Sequence, residues 1–165
     1  MTPTLVTPPS TEVVSLADLK AHLRVTSSIE DDLIASLGNA ARAYLDGWNG
    51  VIGRCIMPQT WKVTALAGEV TLPFPDVTEA SAGYEAGAAD LVPEIGPSGP
   101  VVTITEDCVV TFSCAMPAHL LPTAQVAVKL LVGHWYQNRE AAGPSVQEAP
   151  LAVAAIVDAM RWHPK

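Results

Sequence analysis

The sequence predicts a mainly α-helical fold with a small β insertion (α+β): a bundle of three to four helices around one long central helix. Three observations predict it. The longest helical stretch, Pro117–Ala142, carries Leu121, Ala124, Val128, Leu131 and Trp135 at alternating three- and four-residue steps, which sets them on one face. Two shorter stretches, about 15–25 and 28–47, combine capping residues with helical spacing. Between these halves, about 58–114, the period shifts toward alternation, as antiparallel β hairpins inserted between the second and third helices would require.

Residues 1–12 are rich in Thr and Pro and read as an extended arm, ordered only if something holds it. Ser15 is a good N-cap for the first helix, with Asp18 at N3 and Val14 and Leu19 placed as a hydrophobic staple. The second helix takes Ser28 as its cap, with Glu30, Asp31 and Asp32 in the first turn, where the helix dipole favours negative charge. Ile29, Leu33, Leu37, Ala40 or Ala41, Tyr44 and Trp48 then step along one face, and Gly47, Asn49-Gly50 and Gly53 end the helix.

In the insertion, Thr60–Leu66 and Val70–Leu72 read as strands, and Val77–Tyr84 as a third. Residues 85–100 carry the Gly and Pro of a long loop or loose hairpin. Val101–Thr105 and Cys108–Cys114 read as a hairpin turning at Glu106-Asp107, and these small strands are expected to pack on a helix. In the long helix, Pro122 lies in the first turns, where a missing N–H costs little. Its second apolar row, Val126 and Leu130, implies packing on two sides. After the linker 143–150, the last helix, Leu151–Trp162, is apolar except at Asp158 and Arg161. Such a helix demands burial. A neighbouring chain or the chain's own core would each satisfy it, and composition does not choose.

A chain of 165 residues suggests one domain. It holds no apolar run long enough for a membrane span, and its start lacks the basic and apolar regions of a signal peptide. The net charge of −8, with nine dispersed basic residues, opposes tight binding to nucleic-acid phosphates. Only 16% of residues are charged and 49% are hydrophobic, which suggests a surface partly covered by other subunits. Cys55, Cys108 and Cys114 lack metal-ligand spacing and read as reduced, buried residues.

Candidate chemistry is sparse. Glu30-Asp31-Asp32 serves a helix dipole better than a metal. His134, Trp135, Tyr136, Asn138, Arg139 and Glu140 form a polar helix end that lacks the second His or Cys of a metal or nucleophile site, so it reads as a structural lock and not as a catalytic cluster. The residues therefore predict no catalytic group, no metal and no cofactor.

The ordered set of segments resembles the phage head–tail connector (adaptor) family of long-tailed phages and gene transfer agents. The matching pieces are Ser15–Val25, Asp31–Tyr44, Gln59-Thr60-Trp61, Leu72-Pro73-Phe74-Pro75 and, above all, Leu130–Ala141 with its His-Trp-Tyr-x-Asn-Arg-Glu end. The resemblance implies a connector domain over 1–150 and a C-terminal docking helix and tail over 151–165. It implies a non-enzymatic virion subunit, made in the bacterial cytoplasm and placed at the portal vertex between head and tail. Its implied partners are the portal protein, copies of itself in a ring commonly of twelve, a tail-side stopper or terminator protein, and DNA passing through the lumen without sequence-specific binding. Val153, Ile156, Val157, Met160, Arg161 and Trp162 are the expected contacts to portal or neighbour. The alternatives are a tail-completion or stopper-type ring protein and, from another class, a small ligand-binding domain or enzyme using the His134–Glu140 cluster.

Overall fold

The computed structural model describes residues 1–138 and 151–162. Among these, the chain forms four helices and eight strands. In order they are β1 (Thr4–Thr7), α1 (Leu16–Leu23), α2 (Asp31–Leu45), β2 (Gln59–Ala65), β3 (Gly68–Thr71), β4 (Val77–Tyr84), β5 (Gly87–Leu91), β6 (Glu94–Gly96), β7 (Gly99–Ile104), β8 (Cys108–Cys114), α3 (Leu121–Gln137) and α4 (Leu151–Met160).

The α1 signals act as expected. The Asp18 N–H donates to Ser15 Oγ at 3.1 Å, and Val14 and Leu19 are both buried. Arg24 ends the helix in the left-handed region (φ 58°), and the Arg24 and Val25 N–H groups reach back to the Ala21 and Lys20 carbonyls. That is the bond pattern of a Schellman motif, with Arg where Gly is usual. Gly38 of α2 lies where α1 crosses it: a Cβ there would stand 2.8 Å from Leu19 Cδ1.

The buried face of α2 is a different one. Its buried residues are Ile34, Ala41 and Leu45, whereas Ile29 is 90% exposed and Leu33, Tyr44 and Trp48 are about 40% exposed. The helix carries two interleaved apolar stripes, and periodicity does not say which one turns inward. Its cap position is Glu30, with no side-chain cap bond, so Ser28 does not cap it.

The mainly helical expectation is overturned, because the β part is larger than a small insertion and is not built from simple hairpins. Its strands form a five-stranded antiparallel sheet, β1-β2-β8-β4-β5, and a three-stranded one, β3-β7-β6. The arm is part of this, since β1 pairs with β2. Residues 85–100, expected as loop, supply β5 and β6. The stretches expected as one hairpin, β7 and β8, lie in opposite sheets. Alternation along each strand explains how: Trp61, Val63, Ala65, Ala80, Ala82, Val110 and Phe112 from one sheet share a core with Val70, Val102 and Ile104 from the other. Phe74, between two prolines, fills the middle against Trp61 (centroids 5.2 Å apart) and Phe112 (6.2 Å). The strands therefore pack on each other and not on a helix.

The helices keep a separate core. Leu19, Ile34, Ala41, Leu45, Val128, Leu131 and Val132 meet there. α3 also packs against α4, whose Val153, Val157 and Met160 are buried, but Val126 of its expected second apolar row is 46% exposed. The chain's own core thus receives α4, one of the two solutions open from the sequence. Only one face of α4 is buried, because Ala152, Ala154, Ala155 and Ala159 are apolar but small and remain exposed. No helix among the described residues is long and apolar enough to cross a membrane.

Candidate assembly surface

The two cores meet along the segment between α2 and β2, and Arg54 is the hinge point of that boundary. Its Nε donates to the Met160 carbonyl at 2.8 Å, its NH1 pairs with Asp76 at 2.5 Å, and its guanidinium lies 5.9 Å from the centre of the Trp162 ring. One planar, always-charged group thus joins the end of α4 to the β3–β4 connection. The chain after α4 is held by backbone as well. Trp162 N–H donates to Ile52 O, and Arg161 Nε to Val51 O, both at 2.8 Å. The Trp162 ring rests beside Gly99 of β7.

A second node lies next to it. Asp46, at the end of α2, accepts from Ile56 N–H at 2.8 Å and from Gln59 Nε2 at 2.9 Å. Gln59 in turn accepts from the Trp61 indole at 3.2 Å. Burial lifts the Asp46 carboxyl above its ordinary range, and the donors from Ile56 and Gln59 and the Arg42 charge pull it partly back.

The expected lock residues make contacts within the chain. Asn138 Nδ2 donates to His134 O at 2.8 Å and closes the end of α3. Trp135 meets Tyr44 edge to face at 6.3 Å, and the Tyr136 hydroxyl bonds the Glu30 carboxylate at the start of α2. The end of α3 is therefore fastened to both ends of α2. Arg139 and Glu140 lie outside the described residues.

Of the six expected docking residues, Val153, Val157 and Met160 face the chain's own core. Ile156 and Trp162 are half-buried and Arg161 is exposed. Spacing alone could not reveal Arg54, Asp76, Asp46 or Gln59, because their partners are distant in sequence and sit in turns or at strand ends. For Arg54, its position within Gly53-Arg54-Cys55, just after the helix stop, offered no periodic signal.

The outer surface is divided by charge. No Lys or Arg occurs between Lys62 and Lys129, while Glu69, Asp76, Glu79, Glu85, Asp90, Glu94, Glu106 and Asp107 fall there, all in the sandwich. These eight account for the whole net charge of −8, since the other nine carboxylates equal the nine Lys and Arg. The helical layer carries charges of both signs, and one face of α2 is free of them. The exposed positions of α2 after Asp32 are Leu33, Ser36, Asn39, Ala40, Ala43 and Tyr44.

No family model matches the chain, and no curated protein matches it in sequence. Solved structures do match its fold. A chain of the "virion of native gene transfer agent (GTA) particle" is similar with a TM-score of 0.67 at 19% identity, over 98% of this chain and 95% of that one. A chain of the "neck of empty GTA particle computed with C6 symmetry" is similar with a TM-score of 0.64 at 19% identity, with the same coverage. The fold of this chain, end to end, is thus one also found in chains of gene transfer agent particles.

Proposed function

We propose that the chain is a structural, non-enzymatic subunit of a phage-like particle: an adaptor that forms a ring between portal and tail around the DNA exit channel. The observation that carries this reading is the two-way coverage of the fold match, which leaves almost no part of either chain unaccounted for. The division of the surface supports it. An uncharged face of α2 with exposed Leu33 and Tyr44, and Trp48 just beyond it, suits contact with further protein copies. The acidic sandwich suits a lumen through which DNA passes without sticking.

In this reading the partners are the portal protein, other copies of the chain in a ring of twelve, and a tail-side stopper or terminator protein. The subunit sits at the portal vertex. The C-terminal contact to portal or neighbour uses the side of α4 that its own core leaves free, with Ile156, Arg161 and Trp162 at its border, while Val153, Val157 and Met160 hold the helix in place. The test is to mix the purified chain with purified portal and image the product by electron microscopy. A ring of this chain on one end of the portal supports the reading. A chain that stays monomeric and indifferent to portal overturns it.

A further inference from the structure

Cys55 and Cys114 are 59 positions apart in sequence and are both buried in the sandwich core. Cys55 lies in the segment joining α2 to β2, one residue before Ile56, whose N–H is held by Asp46. Cys114 is the last residue of β8 and stands opposite Gln59, which the same Asp46 carboxylate also holds. The Cys114 thiol reaches the Gln59 carbonyl at 3.9 Å. The neighbouring Cys114 thiol, together with burial, pushes the Cys55 thiol above its ordinary range. Both side chains are 1% exposed. The third cysteine, Cys108, is at the other end of β8, about 20 Å away at the usual strand rise. The fold therefore sorts three cysteines into a pair and a single.

We propose that Cys55 and Cys114 are a latent disulfide site, which closes when the chain folds in the presence of a disulfide oxidant. Two buried thiols in one cluster, on segments that the Asp46 carboxylate holds side by side, need little backbone movement to reach disulfide geometry. The chemistry balances with glutathione disulfide. One thiolate attacks it to give a mixed disulfide and one glutathione thiol. The second cysteine then displaces the other glutathione, so the two thiol protons and two electrons end on two glutathione thiols. The neighbouring Cys114 thiol and burial disfavour the Cys55 thiolate in the finished fold, so the bond forms during folding or local opening. The bond would join the helical layer to the sandwich at the boundary that Arg54 and Asp76 also cross. None of this depends on the assembly reading, and its test needs no particle.

The test is refolding of the full chain from denaturant, with and without oxidised glutathione, followed by denaturing alkylation and mass analysis. The expected product is a monomer lighter by two hydrogen atoms that takes up one alkyl group, at Cys108. Chymotryptic cleavage after Phe112 separates Cys108 from Cys114, so the linked peptides identify the pair. The cross-link should survive Cys108→Ser and vanish in both Cys55→Ala and Cys114→Ala. Its closure should raise the urea midpoint, and dithiothreitol should reverse the rise. Three alkylated thiols after refolding, only glutathione adducts, a bond that includes Cys108, or dimers between chains would each overturn the proposal.

Discussion

Arg54 and Asp76 form a 2.5 Å ion pair, 15% and 14% exposed, that joins the helical layer to the β sandwich. The same guanidinium holds the last carbonyl of α4. Arg54→Ala leaves the Asp76 carboxylate and the Met160 carbonyl without their donor. It is expected to cost about 2–4 kcal/mol, or roughly 4–16 °C in thermal midpoint. Arg54→Lys should recover little of this, since one ammonium lacks the fork that serves two acceptors at once. Thermal unfolding followed by circular dichroism checks both variants.

The placement of α4 changes what a C-terminal truncation means. Removing residues 151–165 uncovers the core that Val153, Val157 and Met160 fill, at about 1.5–3 kcal/mol for each large side chain. The truncated chain is expected to be largely unfolded, so its failure to bind portal would say nothing about docking. Ala155→Glu and Ala159→Glu place charge on the exposed side instead. These should change stability by less than about 0.5 kcal/mol while reducing assembly, if that side is the contact. Urea unfolding and a portal pull-down, run in parallel, separate the two effects.

At the end of α3, Trp135→Ala removes the edge contact with Tyr44 and half-buried aromatic surface. The expected cost is about 1–3 kcal/mol, with assembly falling alongside stability. Tyr136→Phe removes only a hydroxyl bonded to the Glu30 carboxylate and should cost about 1–2 kcal/mol. Loss of assembly at unchanged stability in Trp135→Ala would place that residue at an interface instead of in the fold.

Asp46 gives a pH signature. Its carboxyl is raised in the fold chiefly by burial, so the protonated form is favoured there relative to the unfolded chain. The stability this contributes is fully present below the unfolded value of 3.8 and is lost as pH rises through the higher folded value. Compared with wild type, Asp46→Asn should therefore lose less stability between about pH 4 and about pH 7. Urea midpoints at several pH values check the sign. A wild type that gains stability over this window relative to the variant contradicts it.

Local features of the fold were legible in the sequence, and long-range ones were not. Ser15 with Asp18, Val14 with Leu19 and the Gly-rich stop after α2 are short-range signals, and the chain obeys them. The buried stripe of α2 was not legible because Leu33 and Ile34 are neighbours on two apolar rows, and the crossing with α1 at Gly38 decides between them. The sandwich was missed because alternation predicts a strand but not its partner. Trp61 pairs with Phe112 across the chain, and β7 leaves β8 for the other sheet despite a three-residue connection. The small Ala residues of α4 made it look apolar on every side, when only Val153, Val157 and Met160 required cover. The end of α3 near Asn138 was legible as a helix end. The Arg54 and Asp46 nodes were not, because a hydrogen-bonded junction between turns has no period.

The central claim is that this chain assembles as a ring at a portal vertex. Cryo-electron microscopy of purified portal mixed with the chain tests it most directly. The account predicts a ring of this chain seated coaxially on one end of the portal, with the sandwich carboxylates Glu69, Glu79, Asp90 and Glu94 toward the lumen. Portal rings without added density, with the chain remaining monomeric at high concentration, would contradict it.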